Sequence, residues 1–156
     1  MQGNKISVLF VCLGNICRSP SAEAVFRKKA IEAGLDLNID SAGTAGYHTG
    51  ASPDKRSQEV GINRGYSFEG IKCRKVDVQD FQNFDYILGM DNENISNLLA
   101  ICPEGLEDKV ALFLDYADSE ENQVPDPYYG GKRGFEYVLD LIELASTGLI
   151  KHIKKQ

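Results

Sequence analysis

The 156-residue chain predicts an α/β fold, a four-stranded parallel sheet with helices on both faces. Three observations carry this reading. Short β-branched runs alternate with helical patterns along the chain. The first run, Ile6-Ser7-Val8-Leu9-Phe10-Val11, is apolar almost without interruption, as a strand buried on both faces should be. No repeat, low-complexity tract or Pro/Gly linker divides residues 1–156, so one domain is expected.

The first strand ends at Cys12. Ser19 is placed to cap the next helix, with Pro20 at its first position; Ala22, Val25, Phe26, Ala30 and Ala33 form its apolar stripe and Gly34 closes it. Leu37 to Ser41 reads as a second strand, followed by a glycine-rich loop and a helix opened by Ser52-Pro53-Asp54 and running towards Gly61. Asp85 to Met90 reads as the third strand, with Asp91 capping a helix through Leu99, and Lys109 to Leu114 as the fourth. The last helix is the clearest, because Phe135, Val138, Leu139, Ile142, Ala145, Leu149 and Ile153 recur at helical spacing. Gly148 inside it costs about 1 kcal/mol relative to Ala. A parallel sheet binds ligands beyond the carboxyl ends of its strands, near the switch in strand order, and Cys12 sits at one such end.

Acidic residues number 23 against 17 basic, a net charge of −6. That balance excludes a protein that grips nucleic acid or an anionic membrane through a basic excess. Residues 85–126 alone hold eleven acids and one base, whereas the segment before them is mildly basic. Any anion has to be met locally. The run from Ile6 to Leu13 is too short to span a bilayer and lacks the features of a signal peptide, so a cytoplasmic protein without a membrane partner is expected. Cys12, Cys17, Cys73 and Cys102 are too few and too irregular for a secreted disulfide scaffold, and with only His48 and His152 beside them no metal site is expected. Cys73 and Cys102 read as structural thiols and both histidines as solvent-facing.

The segment Cys12-Leu13-Gly14-Asn15-Ile16-Cys17-Arg18-Ser19 joins the first strand to the first helix. A cysteine followed six positions later by arginine is a weak signal alone, and a small buried residue at a strand end is the plain alternative. The strand-to-helix context sharpens it. Successive backbone N–H groups there can curl round an anion while the helix N-terminus adds partial positive charge. Gly14 can take a positive φ and Asn15 tolerates one. Arg18 can meet two phosphate oxygens with its planar fork, and the same donors favour the thiolate of Cys12, to whose sulfur Ser19 can donate a hydrogen bond. Neither a Gly-Lys-Ser/Thr phosphate loop nor G-x-G-x-x-G follows the strand, so the cradle suits one phosphoryl group beside a nucleophile.

Val11 to Pro20, together with Asp126-Pro127-Tyr128-Tyr129-Gly130, resembles the low-molecular-weight protein tyrosine phosphatases. The similarity extends over Asp40-Ser41-Ala42-Gly43 and Phe84 to Asp91, and so over nearly the whole chain. It implies a Rossmann-like three-layer sandwich of the phosphotyrosine phosphatase I type. It also implies a metal- and cofactor-independent hydrolysis of phosphotyrosine or small aryl phosphates: Cys12 forms a phosphocysteine, Arg18 and the amides of Leu13 to Arg18 hold the phosphoryl oxygens, and Asp126 is the general acid and then base. Tyr47, Tyr128 and Tyr129 resemble the family's aromatic wall, which favours phosphotyrosine proteins as partners. Ile16 and Tyr128 separate the chain from related arginine phosphatases, which carry Thr and Phe there. Cys17 occupies the place of a second cysteine able to trap an oxidised nucleophile as a disulfide. Asn15, Ser19 and Ser41 match a loop-buttressing network, but Ile71 stands where the family has a histidine, so a shorter network is expected. The resemblance further implies a monomer open to weak dimerisation.

Two other readings use the same loop. A thiol-dependent arsenate reductase needs two further closely spaced cysteines, and Cys73 and Cys102 are far apart. A catalytically dead phosphotyrosine-binding module would lack Cys12, Arg18 or Asp126, and all three are present.

Overall fold

The computed structural model describes residues 5–127 and 131–155. In chain order the elements are β1 (Ser7–Cys12), α1 (Arg18–Glu32), β2 (Asn38–Gly43), α2 (Lys55–Asn63), α3 (Asp80–Asn83), β3 (Tyr86–Gly89), α4 (Asn92–Ile101), β4 (Val110–Leu112) and α5 (Gly131–Lys154). The sheet has the order β2-β1-β3-β4 and every pairing is parallel. The chain steps from β1 to β2 on one side and later to β3 on the other, so strand order switches at the carboxyl end of β1, where Cys12 sits.

All six residues of β1 are buried. Its side chains alternate between two cores, as a strand's period of two requires. Val8, Phe10 and Cys12 join the larger core beneath α1 and α5, where Phe10 meets Phe26 and Phe113 edge to face at 5.5 and 4.8 Å. Leu9 and Val11 join Ile87, Phe81 of α3 and Leu98 of α4 in a smaller core on the opposite face.

The helix ends follow local chemistry. α1 closes with Leu35 N–H donating to Ala30 O (2.9 Å) and Gly34 N–H to Ile31 O (3.0 Å), with Gly34 at φ 76°. Asp54 caps α2, and Asp91 caps α4 in a reciprocal box with Asn94. α1 departs from expectation. It starts at Arg18, two residues before Pro20, and Cys17 at its cap position makes no side-chain capping bond. Ser19 is not the cap, because its hydroxyl is engaged with Cys12 and Asn15.

The fourth strand is also shorter than the apolar run suggests, and a 3-10 turn at Phe113–Tyr116 follows it. Phe113 and Leu114 both enter the larger core. Successive strand residues face opposite ways, so burying both on one side requires the chain to leave the strand.

α5 lays Phe135, Val138, Leu139, Ile142, Ala145, Leu149 and Ile153 into that core, all buried. Gly148 is where it crosses the 3-10 turn: a Cβ there would lie 1.7 Å from the Tyr116 carbonyl oxygen. Close approach of two backbones therefore explains the glycine that helix propensity disfavours. Gly148→Ala is expected to lower the unfolding free energy by about 3 kcal/mol, the upper end of overpacking costs, where propensity alone predicts a small gain. Urea unfolding measures the sign.

Candidate active site

The segment between β1 and α1 is pinned from outside. The carbonyls of Cys12, Leu13 and Ile16 accept from the amides of Thr44, Ala45 and Asp54 at 2.9, 2.9 and 2.7 Å. Asn15, not Gly14, takes the left-handed conformation, at φ 58°. Its fully buried side chain is saturated: Oδ1 accepts from Arg74 N–H (2.8 Å), and Nδ2 donates to Ser19 Oγ (2.9 Å) and Ser41 Oγ (3.0 Å). Those three bonds hold a backbone conformation that costs a side-chain-bearing residue roughly 1–2 kcal/mol. A Cβ on Gly14 would come 3.2 Å from the His48 ring, a tight contact that the exposed His48 side chain can relieve by a small shift.

Cys12 lies at the base of the loop, 3% exposed, with its Sγ 3.0 Å from Ser19 Oγ. Arg18, its side chain 7% exposed, donates through Nη1 to Asp91 Oδ2 (2.6 Å) and to the Val124 carbonyl (3.0 Å). Burial works against the guanidinium's charge, but Cys12, Asp91 and Asp126 more than offset it and raise the pKa of Arg18 above its ordinary value. Val124 N–H in turn donates to Met90 O (2.7 Å), so the segment carrying Asp126 is tied to the end of β3 and to Arg18 together.

A pocket of about 110 Å³ opens over the loop. Cys12, Leu13, Gly14, Ile16, Cys17 and Arg18 line its floor and sides, and Tyr47 and Asp126 stand around it. Asn15 and Ser19 lie behind the loop as supports. Tyr128 and Tyr129 fall outside the described residues.

Several features escaped the sequence reading. Asp91 was legible as a helix cap, but its second oxygen also orients Arg18. His48 is exposed, as expected, yet it lines the pocket. His152 is exposed too, with its ring edge-on to Tyr86 and Tyr116. Ile71 is buried in the larger core, and the buttressing network is not shortened by it: Ser41 Oγ donates to Glu23 Oε1 at 2.7 Å, so the network continues to α1. None of the four cysteines forms a disulfide. Burial pushes the Cys73 thiol's pKa up, with Cys12 adding to the effect, and burial does the same at Cys102.

Residues 7–156 match the family model described as low molecular weight phosphotyrosine protein phosphatase. The chain belongs to this family. The phosphatase is 46% identical over 154 residues to the low molecular weight protein-tyrosine-phosphatase YfkJ of Bacillus subtilis, covering 97% of each chain. It is 49% identical over 149 residues to the low molecular weight phosphotyrosine protein phosphatase of Schizosaccharomyces pombe, covering 92% of this chain and 95% of the relative. Its fold superposes on the crystal structure of an Entamoeba histolytica protein tyrosine phosphatase with Hepes in the active site at a TM-score of 0.93, with 45% identity and 97% and 98% of the two chains covered. The YfkJ crystal structure gives the same TM-score at 46% identity, over 99% of this chain and 98% of that one.

The two tasks of Asp91 are separable. Asn caps helices as well as Asp does, so Asp91→Asn is expected to keep stability within about 1 kcal/mol. Loss of the ion pair frees Arg18 to swing, and inorganic phosphate is expected to inhibit roughly tenfold more weakly, consistent with a charged hydrogen bond of 1.5–3 kcal/mol. Thermal melting and phosphate competition read the two effects independently.

Proposed function

We propose that in this tyrosine phosphatase Cys12 is the nucleophile, Arg18 the phosphate clamp and Asp126 the proton donor and acceptor. Hydrolysis then runs in two displacements. The Cys12 sulfur attacks phosphorus, an S–P bond forms, the P–O bond to the tyrosyl oxygen breaks, and Asp126 gives that oxygen its proton. The Asp126 carboxylate next takes a proton from water as the water oxygen attacks phosphorus, and the S–P bond breaks to release inorganic phosphate and restore the thiolate. Arg18 and the loop amides of Leu13 to Arg18 meet the three equatorial oxygens throughout. One observation carries the reading: Cys12 at the floor and Asp126 at the wall of one pocket, with Arg18 lining it beside them and bonded to the Val124 carbonyl of the Asp126 segment. No step is assigned to a metal or a cofactor.

Phosphotyrosine-bearing proteins are the substrates that suit this mouth. Tyr47, 77% exposed at the rim, offers an aromatic face to a phenyl ring, and Tyr128 and Tyr129 are assigned to the same wall by the family pattern. Ile16 keeps one side of the pocket apolar. Cys17, beside Cys12 in the lining, is assigned the role of redox partner. Peroxide oxidises Cys12 to the sulfenic acid, the Cys17 sulfur attacks it, water leaves, and a thiol reductant restores both. Among the described residues no helix is long and apolar enough to cross a membrane. With none of its four cysteines in a disulfide and an acidic net charge, we place the phosphatase in the cytoplasm as a monomer open to weak dimerisation, with no nucleic-acid partner.

Hydrolysis of an aryl phosphate in the presence of a chelator tests the assignments. Cys12→Ser is expected to abolish turnover, and Arg18→Ala to lower kcat by roughly 10²–10³ as for other oxyanion donors. Asp126→Ala is expected to slow esters with poor leaving groups by roughly 10²–10⁴ and activated esters far less. Full activity in Cys12→Ser, or an equal loss for both ester classes in Asp126→Ala, contradicts the scheme. For the redox role, Cys17→Ser is expected to lose the recovery by thiol that the wild type shows after peroxide. Equal recovery in the two forms rejects it.

A further inference from the structure

Glu23 sits on the buried side of α1 and is 3% exposed. It is not in the pocket, and the proposed mechanism gives it nothing to do. Its Oε1 accepts the Ser41 hydroxyl at 2.7 Å, and its Oε2 is paired with Arg27 one helical turn on. Arg27 also donates to the Ile39 carbonyl of β2 at 3.2 Å, which fixes the pair against the sheet.

The donors and acceptors beyond Ser41 can be assigned in only one direction. An ionised carboxylate only accepts, so Ser41 gives Glu23 its single proton. The Ser41 oxygen is then left to accept from Asn15 Nδ2 at 3.0 Å. The orientation of the Asn15 amide is fixed independently, because its Oδ1 takes the Arg74 N–H at 2.8 Å. Its second Nδ2 hydrogen goes to Ser19 Oγ at 2.9 Å. Ser19, already accepting there, keeps its own proton to donate, and Cys12 Sγ lies at 3.0 Å against 3.4 Å for the Ala42 carbonyl. Ile71, buried in the apolar core, offers Ser41 no competing polar side chain.

We propose that Glu23 is a positioning residue for the nucleophile: its ionised carboxylate sets the direction of the chain Glu23–Ser41–Asn15–Ser19 and so aims the Ser19 hydroxyl proton at Cys12 Sγ. The proposal rests on Cys12 being the nucleophile. Chains of this kind polarise one another in a low-dielectric interior, so a charge at one end is felt at the other.

The electrostatics of the site separate this role from a stabilising one. Burial pushes the Glu23 pKa up; the Ser41 hydrogen bond and Arg27 pull it down, while Asp40 of β2 raises it further. Asp40 is itself paired with Arg74, which also holds Asp80. The net direction is upward. A carboxyl whose folded-state pKa is raised contributes stability below its unfolded pKa, and that contribution is lost as pH rises through the folded value. The fold therefore favours the protonated carboxyl over the ionised one, so the charge of Glu23 is not itself a source of stability.

The experiment reads Cys12 directly, as its rate of carboxymethylation by iodoacetate at fixed pH, with the site of modification identified by mass spectrometry. Glu23→Gln removes the charge and lets an amide NH2 face Ser41, and Ser41→Ala cuts the chain at its next member. Each is expected to slow the reaction about tenfold, in line with one misdirected charged hydrogen bond. The double variant is expected to be no slower than the worse single one, since both break one chain. The melting temperature of Glu23→Gln is expected to stay level or rise, and Glu32→Gln, an exposed charge change on the same helix, to alter nothing. A rate within twofold of wild type in Glu23→Gln, losses that multiply in the double variant, or a slowing that accompanies a fall in melting temperature each overturn the proposal. Because the readout needs no substrate turnover, its failure is distinct from failure of the phosphatase mechanism, which would show as a wild type inert towards aryl phosphates.

Discussion

The site depends on where one buried cation is held. Arg18 begins α1, yet its guanidinium reaches across the carboxyl edge of the sheet to the start of α4 at Asp91 and to the Val124 carbonyl in the Asp126 segment. Three stretches of chain separated by up to 106 positions thus meet at one Nη1. A charge this deep is disfavoured by lost hydration, and only opposite charge and well-aimed acceptors keep it ionised. Those acceptors also fix its plane. An arginine so held presents its remaining N–H groups in one orientation, which is what bidentate recognition of a phosphoryl group needs.

That arrangement changes the meaning of the chain's acidity. Eleven acids crowd residues 85–126, immediately around the third and fourth strands, in a protein whose substrate is an anion. Two of them, Asp91 and Asp126, act on Arg18. Two carboxylates thus face the one guanidinium, and on the proposed mechanism attraction for phosphate rests on directed donors: that guanidinium and the peptide planes of a loop whose carbonyls at Cys12, Leu13 and Ile16 are engaged elsewhere. Such a site selects by geometry at short range. It does not need the basic field that nucleic-acid binders use.

The fold was legible wherever periodicity was strong. The continuous apolar run of β1, the stripe of α5 and the aspartates that cap α2 and α4 were readable because each is set by neighbours within a few residues. What stayed hidden depends on distant partners. Ser19 has the composition of a cap, but a sulfur and an amide brought in by the fold compete for its hydroxyl and win. Asn15 rather than Gly14 adopts the left-handed turn because Ser41 and Arg74, from other segments, saturate its side chain. Asp91 spends one oxygen locally and the other on a residue 73 positions away, so only half its role is visible in sequence. The replacement of a family histidine by Ile71 suggested a shorter network; the structure bonds Ser41 to Glu23 instead, a contact no spacing rule connects.

On the proposed mechanism the Asp126 segment needs a firm base, since a proton donor in an exposed loop must still meet the leaving oxygen within hydrogen-bond reach. Upstream, Val124 is fixed by its bond to Met90 and by Arg18. Downstream, α5 packs so tightly that a Cβ on Gly134 would lie 2.8 Å from the Pro127 carbonyl oxygen. α5 is in turn clamped to the end of α2, where Arg64 pairs with Glu136, Asp140 and Glu143 and Tyr66 hydrogen-bonds Glu143. Partly exposed ion pairs of this kind add little stability singly, but several carboxylates on one arginine fix a helix in register. The amino end of α2 is bonded to the loop bearing Cys12 through Asp54 N–H and Ile16 O. One continuous path of backbone and side-chain contacts therefore runs from the loop bearing Cys12, through α2 and α5, to the segment bearing Asp126. The separation of Cys12 and Asp126 is set by the helical layer as much as by the sheet, so on the proposed mechanism the long carboxyl-terminal helix helps to fix the distance between nucleophile and acid although none of its described residues lines the pocket.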